Sequence, residues 1–358
     1  MTPMMESKKP KVDLRGIERR PKTWHWAVMT LIPITLFTVS LFLGRYWVPP
    51  SQVISILANR VISPFGFGIT PTWTAAAEIS VINVRLPRAI AAAFIGAGLS
   101  MSGASFQGMF QNPLVDPFVL GVSAGASFGA ALAIIWSLDS FGVQMLSFVC
   151  GLAAVAITYF MAHVLKTTPV LMLVLSGMVV SAFFQAMLSV VKYTADVDEK
   201  LPAITFWLMG SLSNVTFSDL LVAGLPYLAA MTGLYIIRWK LNVLSMGDME
   251  AHALGVNSER YKLLIIVCTT IITSISVAFC GIIGWVGQVI PHFCRMITGP
   301  DHKVLIPATM LVGAAYLLFI DNLCRLLSTN EIPMGILTAV VGAPIFAYLL
   351  RKTRGGWN

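Results

Sequence analysis

Charge is scarce in this chain. Of its 358 residues only 11% are Asp, Glu, Lys or Arg, while 57% are hydrophobic. A water-soluble domain carries roughly 25% charged residues. This composition does not supply enough charge to cover a solvated surface of that size, and the solvent it suits is a bilayer. Acids are the scarcer sign, 16 against 24 bases, for a net charge of +8. The excess does not describe a nucleic-acid patch: seven bases precede residue 23 and most others flank apolar runs, the pattern that sets membrane topology. Cysteines number five. Cys150, Cys268, Cys280, Cys294 and Cys324 lie in or beside apolar runs with no C-x-x-C among them. They read as small apolar residues rather than a disulfide or metal set. The sequence has no G-x-x-x-x-G-K-[ST] and no H-E-x-x-H, so it offers neither a P-loop nor that zinc motif.

Ionisable groups within the apolar runs are also few. Asp321 stands four residues before Arg325, close enough to pair on one helix face. Asp219 falls at a segment edge. No carboxylate stands alone in mid-span, which argues against a proton- or sodium-driven carrier. Ion sites built from backbone need none, so an ion-coupled secondary transporter stays as the alternative. "GVSAG" (121–125) fits G-x-S-x-G, but a hydrolase needs it on a strand–turn–helix with a histidine partner. Here it sits in a glycine-striped apolar run, and Ser123 reads as a packing residue.

What the chain does have is apolar runs near the ~20 residues that span a bilayer. The expectation is an all-α, polytopic membrane protein with ten spans, at about 26–48, 88–108, 118–137, 144–165, 170–192, 218–239, 260–280, 284–298, 304–325 and 334–352. The eighth is short. The first is too long for a signal peptide and ends in Gly-Arg-Tyr-Trp, so it reads as a retained span. "LPAITFWLMGSL" (201–212) is too short to cross and is expected to be re-entrant or interfacial. Gly121, Gly125 and Gly129, four apart, predict close helix packing. Pro33, Pro226, Pro291, Pro307 and Pro344 punctuate the runs.

Basic residues favour cytoplasmic N- and C-termini. That orientation leaves Arg45, Arg60, Arg85, Arg88, Lys192, Lys200 and Arg325 outside or at the outer boundary. It also puts "MGDMEAHALGV" (246–256) in the cytoplasm. Asp248 is placed to start a short helix there, and Gly255 to close it in a left-handed conformation. Met246, Met249, Ala253 and Leu254 give the piece an apolar side suited to another protein's groove. An interfacial helix on lipid headgroups is the competing reading.

The chain resembles the permease subunits of binding-protein-dependent ABC importers for iron–siderophores, haem and vitamin B12, the FecCD-type family. The resemblance runs from about 30 to 354. It is carried by "RLPRAIAAAFIGAGLSMSGASFQGMFQNPLVDPFVLGVSAGASFGAAL" (85–132), "FWLMGSL" (206–212), "MGDMEAHALGV", "GIIGWVGQVIPHFCRMITGPDHKVLIP" (281–307) and "EIPMGILTAVVGAPIFAYLLRK" (331–352). It implies a type II ABC importer permease fold: one ten-helix domain (26–354) after a basic cytoplasmic tail (1–25). It further implies a second permease subunit, identical or a sister, two cytoplasmic ATPases and an extracytoplasmic substrate-binding protein, in the cytoplasmic membrane of a bacterium or archaeon. ATP and Mg would be held by the partner ATPases, and this chain would carry no cofactor, no metal and no catalysis. Within it, coupling helices at about 243–257 would press on the ATPases through Gly247, Asp248, Glu250, Ala251, Leu254 and Gly255, with Met246 replacing the family's usual leucine. Arg85, Arg88 and Arg325 would receive acids of the binding protein, and Thr167 and Thr168 fall near the cytoplasmic gate. The cargo, a chelated iron, haem, cobalamin or an oxyanion, is left open.

Overall fold

In hydrocarbon a backbone must satisfy its own hydrogen bonds, and helices do so within a single segment. The apolar runs of this chain accordingly fold as helices. The computed structural model describes residues 21–66, 68–163, 169–328 and 330–353. Among these residues there is no strand, and fifteen α-helices follow in chain order. They are α1 (Thr23–Phe42), α2 (Pro50–Ile62), α3 (Ala75–Glu78), α4 (Leu86–Met109), α5 (Val122–Ile135), α6 (Ser140–Ala162), α7 (Val170–Thr194) and α8 (Lys200–Met209). Then come α9 (Phe217–Ile236), α10 (Arg238–Leu244), α11 (Asp248–Ala253), α12 (Ser258–Cys280), α13 (Val286–Thr298), α14 (His302–Leu326) and α15 (Met334–Thr353).

Seven helical runs are long and apolar enough to cross a membrane: α1, the continuous run Ala75–Met109 that ends in α4, α6, α7, α9, α12 and α14. The other three expected spans coincide with α5, α13 and α15. α5 and α13 have 14 and 13 residues, short of a straight crossing, and the described apolar part of α15, Met334–Leu349, is short as well. The 201–212 segment forms α8, a ten-residue helix. All five prolines lie inside continuous helices.

α4 is the hub. It packs against α14, α13, α12 and α9, while α5 packs against α6 and α7. Small residues make the approach close. A Cβ added to Gly96 would land on the Gly313 carbonyl of α14, and one added to Gly103 on the Gly287 carbonyl of α13. Pro291 brings no N–H to that Gly287 carbonyl four residues before it, so the oxygen is left to face α4. The α5 stripe behaves likewise at Gly125 and Gly129, whose missing Cβ atoms face the Cys150 and Leu146 carbonyls of α6. Gly121 plays another part: it precedes α5 with φ +89°, in the left-handed region. Ser123 lies inside α5, with no strand before it among the described residues, so the geometry of a nucleophile elbow is absent there.

The helix ends gather into two faces. At one, Gln111 donates to the Leu244 carbonyl (3.3 Å) and Asn242 Nδ2 to Asp301 (2.6 Å). At the opposite face, the Ser211 N–H meets the Cys280 carbonyl and the Met334 N–H the Gly210 carbonyl, both at 2.9 Å. The non-helical stretch 281–285 then turns back into the bundle, so α13 begins beside Gly103, part-way along α4.

Candidate functional site

α11 is the first candidate. Its six residues are closed by a Schellman motif: Val256 N–H bonds the Ala251 carbonyl (2.9 Å) and Gly255 N–H the His252 carbonyl (3.0 Å). Gly255 has φ +73°, as the sequence led one to expect. Ala251 and Val256, the apolar pair that accompanies this motif, are both buried. The start differs from expectation. Gly247, at φ +122°, holds the N-cap place, and Asp248 is the first helical residue without a side-chain cap bond. A Cβ at Gly247 would also meet the Glu250 carboxylate, so a side chain is disfavoured there twice over.

Asp248 is occupied elsewhere. Its carboxylate takes the ammonium of Lys262 on α12 at 2.7 Å. Lys262 is almost fully buried, with Glu259 as a second acid at 3.8 Å. This pair pins α11 to α12 and turns Met246, Met249 and Leu254 outward, all well exposed. Glu250 and His252 are exposed beside them. Beneath this face, Asp301 sits below the ordinary carboxylate range: burial raises it, but hydrogen bonds from Asn242 and the Lys303 N–H outweigh that. In the 110–121 loop of the same face, burial pushes the Asp116 carboxyl up to about 6 against the lowering effect of the Phe118 N–H.

Replacing Asp248 by alanine removes the close partner of a buried ammonium. The carboxylate is half exposed and screened, so the expected loss is about 1 kcal/mol. The check is a lower melting temperature together with faster proteolysis within 246–256.

The three arginines form the second cluster, at the opposite face. They do not stand on a rim. Arg85, Arg88 and Arg325 are 3%, 2% and 6% exposed. Arg88 Nε donates to Asp321 at 2.7 Å, and its Nη1 meets both Glu331 oxygens at 2.9 Å. Arg325 lies 3.2 Å from the other Asp321 oxygen, the pairing expected from their spacing, and it also donates to Asn322 Oδ1 (2.6 Å). Arg85 donates to the carbonyls of Leu41 (3.0 Å), Phe42 (3.1 Å) and Tyr46. Arg325 adds longer bonds to Ser40 and Leu43 (3.4 and 3.3 Å). The last carbonyls of a helix lack donors and carry its negative pole, and α1 ends at Phe42. Two guanidinium groups therefore cap α1 while the third bridges α4 to α14 and the 331 loop.

In this arrangement the donors of Arg85, Arg88 and Arg325 face the protein's own carboxylates and carbonyls. Exposed bases at that face include Arg45, which donates to the Ser328 carbonyl at 3.0 Å, and Arg60. Sequence reasoning missed the Lys262–Asp248 anchor and the Glu331 end of the network. Thr167 and Thr168 lie outside the described residues.

The comparisons with known proteins agree with this architecture. The model of the FecCD transport family matches residues 31–352. The molybdate import system permease protein MolB of Haemophilus influenzae is 40% identical over 331 residues, covering 92% of this chain and 96% of its own. A probable iron chelatin transport system permease protein of Helicobacter pylori is 39% identical, covering 78% of this chain and 84% of its own. The vitamin B12 import system permease protein BtuC of Klebsiella pneumoniae is 32% identical, covering 94% and 96%. A solved inward-facing structure of a metal-chelate type ABC transporter superposes with a TM-score of 0.81 at 38% identity, covering 92% of this chain and all of that one. These relatives are named as permeases of transport systems, which are not enzymes themselves. On a match that spans nearly the whole bundle, this chain is a multi-pass membrane permease subunit of an ABC importer and belongs to the FecCD transport family.

Proposed function

We propose that this chain and a second permease subunit form a ten-helices-each pathway that imports a metal chelate or an oxyanion by ATP-driven alternating access. The relatives handle molybdate, iron chelatin and vitamin B12, which sets the range of cargo. The observation that carries the reading is α11: a short helix, locked by a Schellman end and the Lys262–Asp248 pair, with Met246, Met249 and Leu254 bare. A bare apolar ridge on a rigid mount suits insertion into a groove of a cytoplasmic ATPase. Gly247, Asp248, Glu250, Ala251, Leu254 and Gly255 are then the coupling segment, and both chain termini lie in the cytoplasm. Ala251 and Gly255 shape the segment, and Glu250 and Leu254 touch the partner. A separate binding protein delivers cargo at the opposite face and dominates its selection.

Two measurements test this. In vesicles containing the whole complex, blocking ATP hydrolysis should stop uptake, and collapsing the proton gradient should leave it intact; the reverse pattern would point to ion coupling. Glu250→Arg places a cation on the exposed side of α11 without touching its mount. It should lower co-purification of the ATPase at least about tenfold, a change of ~1.4 kcal/mol or more, while the helical circular dichroism is unchanged. Full stoichiometry and full transport in this variant would refute the contact.

A further inference from the structure

Between α1 and α4 the chain builds a small unit with its own core. Val53 and Ile56 of α2 pack with Val48, Trp73, Val81 and Ile82, apart from the main core of the bundle. This unit is fixed at the end of two long apolar helices. Phe42, the last residue of α1, packs against it, and the π-helical stretch Ile79–Arg85 runs without a break into α4.

α2 has more apolar surface than this core uses. Val53, Ile56 and Leu57 face inward. Pro50, Ile54 and Val61, spaced by four and seven residues, form a second apolar stripe beside the first, and Phe65 continues it in the turn that follows. That stripe is bare: Ile54 is 59%, Val61 66% and Phe65 76% exposed. Ser51 and Ser55 lie on the adjoining side, in its first turns, with Ala58 and Ile62 further along it. Trp47, just before the helix, is 75% exposed. Such a helix has one apolar face covered by protein, a second covered by none of the described residues, and two serines on the side next to it.

We propose that α2 is an interfacial helix, sunk along its Ile54–Val61–Phe65 stripe into the lipid leaflet at the face opposite α11, with Ser51 and Ser55 turned to water. Three observations favour lipid over a protein partner. The bare stripe follows closely in the chain on α1, which is itself apolar where it is exposed, at Leu31, Ile32, Ile34 and Val39. Tyr46 and Trp47 sit at the junction, and aromatic residues of this kind prefer the headgroup level. The exposed charge in the last turn of α2 is a base, Arg60, which suits phosphate headgroups and carries no acid that anionic lipid would repel.

The test is spin-label accessibility in phospholipid nanodiscs on the assembled transporter. Single cysteines replace Ser51, Ser55, Ile54, Val61 or Phe65 in a background with Cys150→Ala; the other four native thiols are buried. Labels at 54, 61 and 65 should be at least about threefold richer in oxygen contact, relative to a water-soluble nickel chelate, than labels at 51 and 55. Equal ratios on both sides would overturn the proposal. So would stripe labels that meet the nickel chelate freely and lose it only when the binding protein is added, because the occupant would then be protein. Should a labelled variant fail to assemble, quenching by dibrominated phosphatidylcholine decides. The native protein should lose more fluorescence than Trp47→Phe, and equal loss would place the junction out of lipid.

Discussion

Arg88→Ala is expected to remove about 3–5 kcal/mol of stability, enough to leave little folded protein. The argument rests on what stays behind. Asp321 is fully buried and its Oδ1 loses the cation at 2.7 Å, while Glu331 loses the two hydrogen bonds from Nη1. Arg325 still reaches Oδ2 at 3.2 Å, which is why the loss is not larger. Arg88→Lys should recover less than half. An ammonium is a point charge on a flexible stem, whereas Arg88 holds two different acids from two atoms of one rigid plane. The measurement is thermal unfolding and monodisperse yield in nanodiscs. Wild-type behaviour of Arg88→Ala would mean that the network contributes nothing to the fold, and a full rescue by lysine would mean that charge alone matters.

The second large effect is expected at Gly103. Gly103→Val drives side-chain atoms into the Gly287 carbonyl, and backbone, unlike a rotamer, has nowhere to turn. α13 must move off α4, an overpacking cost of about 3 kcal/mol or more. Gly224→Ala in α9 is the matched control. A Cβ there meets nothing within 4 Å, and alanine is the better helix former by about 0.8–1.0 kcal/mol. Opposite signs for these two substitutions in the same melting assay would establish that glycine serves packing at one site and only its backbone freedom at the other. Equal tolerance would show that α4 and α13 are not in backbone contact.

Much of this was readable from residue order. Apolar runs located the helices, because run length and hydropathy are local. Gly255 was identified as a left-handed stop for the same reason: its cause lies within five residues. What holds the arginines was not legible, because their partners are distant in sequence. Beside Pro87, Arg85 and Arg88 looked like a span boundary, and positive charge near an apolar run ordinarily marks one. In the structure the helix runs through them from Ala75, since the acid that tolerates Arg88 inside is supplied 233 positions later. Asp248 was misread in a smaller way. A carboxylate at a helix start serves the backbone by default, but a buried lysine fourteen residues on, at 2.7 Å, outbids an exposed N–H.

That long separation has a consequence for how the protein is made. A ribosome adding about 5–20 residues per second finishes α4 roughly 10–50 s before it reaches Asp321. For that interval the Arg88 guanidinium is without either of the acids that hold it in the finished fold. The buried charge of α4 is first matched when α14 arrives.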